Sequence, residues 1–83
     1  MGIFPIGSLV LLNTRELGIV YKPSHDPRWL NRPMVIVVQR DRKGEVKKEV
    51  VNLAEMVSGQ YKRSIVKTLD PQQYHVDIAR YFL

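Results

Sequence analysis

Short runs of β-branched and aliphatic residues, each cut off by turn formers, dominate the chain as far as Leu69. Runs of this length and composition predict strands rather than helices. Ser8 to Leu12 is the first, Asn13-Thr14-Arg15-Glu16 reads as a tight turn, and Leu17 to Lys22 is the second, so the two form a β-hairpin. Gly18 inside the second run predicts a bulge or a close backbone approach. The stretch from Lys22 to Arg32 is irregular, because Pro23, Pro27 and Pro33 interrupt it and Ser24, Asp26 and Asn31 favour turns. Met34 to Arg40 is the third strand, and its unbroken apolar run marks it as the most buried. Asp41-Arg42-Lys43-Gly44 is a second hairpin turn, with Gly44 free to take a positive φ. Glu45 to Leu53 is the fourth strand, with acids and lysines on one side and valines on the other. Asn52-Leu53-Ala54-Glu55 has capping-box spacing and predicts a single helical turn, and Ser64 to Leu69 is the fifth strand.

The tail changes character. Asp70-Pro71-Gln72-Gln73 places a capping residue, a proline at the first helical position and a glutamine three residues after the cap. A short helix or 3₁₀ turn is expected there, with another from Asp77 through Arg80. Tyr74, Val76, Ile78, Tyr81, Phe82 and Leu83 give the tail an apolar load that must pack on the strands or on something outside this chain. Five short strands at hairpin spacing predict one mainly β domain over residues 1–83. The expected form is a small SH3-like barrel, closed or half-open, with short helical or 3₁₀ turns near the C-terminus. Closure would also shield the edge strands.

Composition narrows the possibilities. A chain of 83 residues with 45% hydrophobic and 25% charged residues has a thin core and little room for a deep cleft. The absence of cysteine excludes a disulfide scaffold, a zinc ribbon and a thiol nucleophile. The longest aliphatic run, Met34 to Val38, is far short of the ~20 residues of a membrane span. The first residues lack the basic and apolar regions of a signal peptide, so a cytoplasmic location away from membranes is expected. Thirteen Lys and Arg against eight Asp and Glu give a net charge of +5. Residues 22–63 carry ten bases and five acids and hold the whole excess. Such a local field favours anionic partners, among them nucleic acid.

Candidate chemistry is sparse. His25-Asp26 has the residue types of a metal site, but the other histidine, His75 near Asp77, offers no shared scaffold, so no metal or other cofactor is expected. Ser8 and Ser64 lack the surroundings of a nucleophile, and no glycine arrangement cradles phosphate. No catalytic residue is expected. Arg28-Trp29-Leu30-Asn31-Arg32 has more to offer: an aromatic between two arginines stacks a base, anchors a protein interface, or plugs one end of a barrel. Arg28, Trp29, Arg32, Arg40, Arg42 and Lys43 form the candidate binding surface. Alternation sends Lys47 and Lys48 to opposite faces, so only one of them can extend it. Ile3, Phe4, Ile6, Tyr81, Phe82 and Leu83 form the candidate packing interface.

Several short pieces, in order, carry a resemblance. They are Phe4-Pro5-Ile6-Gly7-Ser8-Leu9-Val10, Leu12-Asn13-Thr14, Glu16-Leu17-Gly18-Ile19-Val20, Arg32-Pro33-Met34-Val35, Leu69-Asp70-Pro71, Tyr74-His75-Val76-Asp77 and Tyr81-Phe82-Leu83. Together they resemble the segment that follows the catalytic helices of bacterial HD-GYP proteins, metal-dependent phosphodiesterases of cyclic di-GMP. That segment has an aromatic-Pro-x-Gly start, Asn-Thr-Gly-Glu, Arg-Pro-x-Val, and a closing Leu-Asp-Pro, Tyr-Gly-Ile and Tyr-Leu. Arg15 departs from the pattern, which has glycine in that turn. The family's catalytic motifs lie upstream of this segment and have no match here, and His25-Asp26 is not its HD motif. The resemblance implies a non-catalytic accessory domain whose partner is an HD-GYP catalytic domain, in cis or in trans. The rival expectation is a basic SH3-like module that binds nucleic acid. Direct sensing of cyclic di-GMP through the arginines and Trp29 ranks behind both.

Overall fold

The computed structural model describes residues 4–24, 28, 31–40, 42–76 and 78. Its strands are β1 (Leu9–Leu12), β2 (Leu17–Lys22), β3 (Met34–Arg40), β4 (Val46–Asn52), β5 (Met56–Val57), β6 (Gln60–Tyr61) and β7 (Ile65–Leu69). The sequence foresees the five longer ones to within one or two residues. They form one antiparallel sheet in the order β4-β3-β2-β1-β7, so four strands meander and the last returns to pair with the first. β5 and β6 make a separate small hairpin that the sequence reading misses. Its signal is present in Ser58-Gly59, where φ values of 54° and 78° give a two-residue turn with both central residues left-handed.

Of the two expected forms, closed and half-open, the closed barrel is not formed. Among the described residues β4 and β7 remain the two edges of the sheet, and no pairing joins them. The sheet instead has one well-filled face. Cross-strand partners share a face, and the register aligns Val10 with Gly18 and Val37, and Val20 with Val35 and Val51. These valines, with Leu12 and Leu53, form the core cluster, and Phe4 and Ile65 pack against it half-buried. Leu53 follows β4 and Ile65 begins β7, so the same cluster gathers the ends of both edge strands. On the opposite face Leu9, Ile19 and Ile36 align as a second row, also buried. Burial on both faces is why β3 reads as an unbroken apolar run. Each such side chain contributes about 1.5–3 kcal/mol by leaving water. The tail returns towards this end of the sheet: a Cβ built on Gly7 would lie 3.8 Å from Ile78.

Local chemistry explains most departures from expectation. Gly18 carries no bulge; a Cβ built there would meet Val35 at 3.4 Å and Val10 at 3.5 Å, so it marks close packing within the core. The bulges fall between Val20 and Lys22 in β2 and between Leu11 and Leu12 in the β1–β7 pairing. Asn52 to Glu55 is one turn and not a helix, because the Asn52 carboxamide oxygen accepts from the Ala54 N–H and β5 begins at once. The valines of β4 do not share one fate: Val51 is buried, whereas Val46 and Val50 are 42% and 49% exposed.

The tail from 71 to 75 is a run of turns rather than a helix. The Asp70 carboxylate accepts from the Gln72 N–H, as a capping residue does. The Val76 N–H then bonds the Pro71 carbonyl and the His75 N–H bonds the Gln72 carbonyl, with His75 at φ 56°. That pair of bonds around a left-handed residue is the Schellman arrangement that ends helices, here closing the first turn. The second expected turn, Asp77 to Arg80, lies mostly outside the described residues.

Candidate functional site

The densest polar assembly joins the first hairpin to the start of β7. The Arg15 N–H closes the hairpin loop on the Leu12 carbonyl, and Arg15 itself sits at φ 69°. This is the three-residue loop in which a left-handed residue lets the strands resume pairing. The turn carries Asn13 against β7: the Asn13 N–H donates to the Ser64 carbonyl at 2.9 Å, and the Ser64 N–H donates to Asn13 Oδ1 at 3.0 Å. Glu16 accepts from the Thr14 hydroxyl, from Gln39 Nε2 at 2.9 Å and from Arg63 Nε at 2.9 Å. Partial burial pushes the Glu16 carboxyl up. The bonds from Thr14, Arg63 and Gln39, with the Arg63 charge, outweigh it and hold the group below its ordinary range.

Arg32 completes the assembly from the other side. Its Nη1 donates to the carbonyls of Leu53 and Arg63, both at 3.0 Å, and its Nη2 donates to Ser64 Oγ at 3.0 Å. Its guanidinium lies over the Tyr61 ring, 3.3 Å from the centroid. A planar fork of donors is the one cationic side chain that can hold two carbonyls and a hydroxyl while stacking on an aromatic. The carbonyls belong to the end of β4 and to the approach to β7, so one side chain ties the two sheet edges at a single corner. Pro33, next to Arg32, is buried, and its carbonyl accepts from the Leu53 N–H. A shallow open pocket of about 170 Å³ lies beside the clasp, lined by Phe4, Asn31, Arg32, Leu53, Ser64 and Ile65. Its lining holds no carboxylate, imidazole or thiol.

Among the described residues, the candidate binding surface is spread along the chain. Arg32 precedes β3 and Arg40 ends it, which separates them by roughly 25 Å of extended strand. Arg28, Arg42 and Lys43 are exposed; Arg42 and Lys43 sit in the β3–β4 loop, and Gly44 there takes φ 79° as expected. The Arg40 side chain, Trp29 and the pair His25-Asp26 lie outside the described residues. Of the candidate packing interface, Phe4 is half-buried against the chain's own core and Ile6 is 61% exposed. Ile3, Tyr81, Phe82 and Leu83 lie outside the described residues. Ser64 is held as a structural acceptor and donor, and His75 shapes a backbone turn. Among the described residues no cluster of His, Cys, Asp or Glu could hold a metal ion, and no helix is long and apolar enough to cross a membrane. No family model matches the chain, and neither the curated proteins nor the solved structures yield a match.

Proposed function

We propose that this chain is a non-catalytic accessory domain of the HD-GYP type, a half-open SH3-like barrel that packs on or regulates a cyclic di-GMP phosphodiesterase. The observation that carries the reading is the backbone at Arg15 and His75. The family pattern has glycine at both positions, in Asn-Thr-Gly-Glu and in Tyr-Gly-Ile. Here both are non-glycine, yet both take a positive φ, 69° and 56°. A left-handed residue costs ~1–2 kcal/mol without glycine, so two such matches favour a shared backbone over chance similarity of short words. The remaining motif residues support the same reading. Asn13, Thr14, Glu16 and Arg32 all belong to the clasp, and Gly7 takes φ 92° in the turn that the Ser8 N–H closes on the Pro5 carbonyl. The resemblance therefore rests on residues that hold a fold, not on residues that perform chemistry. A meander whose fifth strand returns to the first, with its edges tied by Arg32, is compatible with the half-open form of such a barrel.

The test is to remove the matching domain from an HD-GYP phosphodiesterase, replace it with this chain, and measure folding, dimerisation and hydrolysis of cyclic di-GMP. The deletion is expected to impair at least one of these and the chimera to restore it. A deletion without effect, or a chimera no better than the deletion, overturns the reading. Of the cations named for the nucleic-acid alternative, Arg32 already donates to the Leu53 and Arg63 carbonyls and to Ser64 Oγ.

A further inference from the structure

The shallow pocket beside the clasp joins an apolar wall to a wall of donors. Leu53 is buried, and Phe4 and Ile65 pack half-buried on the core. The rest of the lining is Asn31, Arg32 and Ser64. Arg32 stays charged, because a guanidinium does not deprotonate in proteins. Its partners among the described residues are all neutral: the Leu53 and Arg63 carbonyls, Ser64 Oγ and the Tyr61 ring. Glu16, the carboxylate of the same assembly, bonds Arg63 instead. Of the five guanidinium N–H donors, three are engaged, two on Nη1 and one on Nη2. The Nε–H and the second N–H of Nη2 have no partner among the described residues. The Ser64 hydroxyl accepts from Arg32 and keeps its own proton to donate. Asn31 is exposed, and its carboxamide adds donors and an acceptor.

We infer that this pocket captures the C-terminal carboxylate of a partner polypeptide whose last residue is apolar. One cation without an anion matches one negative charge. A phosphate group would bring about two negative charges at neutral pH against that single cation, and would lose water against the apolar wall. An aspartate or glutamate side chain carries its carboxylate on a stem with no apolar branch. A C-terminal residue carries both on one Cα, so its carboxylate meets Arg32 and Ser64 while its side chain meets Phe4, Leu53 and Ile65. Its own amide N–H can donate to Asn31 Oδ1. A cavity of about 150 Å³ holds one benzene ring, so the 170 Å³ here suits the end group and side chain of one residue. The pocket is open, which leaves the rest of the partner room to run on across the surface. Capture of a chain end by convergent donors is an established mode of peptide recognition. The inference does not depend on the family reading, since it uses only the pocket and the clasp.

The test is an NMR titration of the isotope-labelled full chain with three probes: acetyl-Ala-Ala-Leu with a free carboxylate, the same peptide as its C-terminal amide, and isocaproate. The free-acid peptide is expected to shift the Asn31, Ser64 and Ile65 amides and the Arg32 Nε–H signal, with a Kd of about 1 mM or below. The amide loses the charged acceptor and is expected to bind about tenfold more weakly or worse. Isocaproate keeps the charge and the branched side chain but lacks the peptide N–H, and is also expected to bind more weakly than the peptide. Arg32 ties the fold, so the variant is Asn31→Asp, which sets a carboxylate in the lining at an exposed position. It is expected to leave the chain folded and to weaken the free-acid peptide about tenfold or more. Equal binding of acid and amide, binding indifferent to Asn31→Asp, or no shift at about 10 mM peptide overturns the inference. Isocaproate binding as tightly as the peptide overturns the assignment to a chain end.

Discussion

Two single residues sit where glycine would be easier. Arg15 at φ 69° has an exposed side chain and no bond that requires arginine among those described, so the strain is local. Arg15→Gly is expected to raise stability by about 1 kcal/mol, less any gain in unfolded-chain freedom, as measured by chemical denaturation. His75→Gly should act in the same direction. Glu16 gives a prediction in pH. Its folded-state carboxyl titrates below the unfolded value, so its contribution is fully present above about pH 4.3 and is lost as pH falls through the folded value. Stability measured against pH should therefore decline on acidification. Glu16→Gln should flatten that slope, and a slope unchanged by the substitution would rule Glu16 out as its source.

At the scale of elements, the strands were legible and the ties between them were not. β-branched runs and turn residues locate the five longer strands because both signals are local in sequence. Gly44 was readable for the same reason: a short polar turn needs a left-handed position and the sequence supplies a glycine. The clasp was not readable. Arg32 stood out as a binding candidate because an arginine beside a tryptophan looks exposed in a sequence. Its acceptors at Leu53, Arg63 and Ser64 lie 21 to 32 residues away. No periodicity encodes such a contact. Arg32→Lys keeps the charge but loses the fork and the flat stacking surface over Tyr61. It is expected to lower stability by about 2–3 kcal/mol in urea titration, since bonds from a charged donor are worth ~1.5–3 kcal/mol each and are not additive. A loss under 0.5 kcal/mol, as is usual for ordinary surface substitutions, would show that the clasp is not a tie.

Across the whole molecule, protection should follow the depth of the sheet. β2 lies at its centre and β1 and β3 flank it, with side chains buried on both faces. Their amides are expected to exchange most slowly with deuterium. Those of residues 56–61, where Met56 and Val57 are half-exposed and the hairpin pairs only with itself, should exchange fastest. Uniform exchange through both regions would mean that the hairpin is part of the main cooperative unit.

The return of the last strand also sets an order of events in folding. The three hairpins of the meander join neighbours in sequence, whereas Asn13 meets Ser64 across 51 positions. A loop of that span loses more chain entropy than a hairpin turn before any contact rewards it. The meander is therefore expected to be in place in the transition state, and β7 with its clasp to arrive after it. Substitutions in the β2–β3 core, such as Val35→Ala, should slow refolding in stopped-flow experiments. Asn13→Ala should leave refolding almost unchanged and speed unfolding instead. The side chains that give the chain its recognisable sequence words would then act as a brake on opening, setting how long the folded state lasts rather than how quickly it forms.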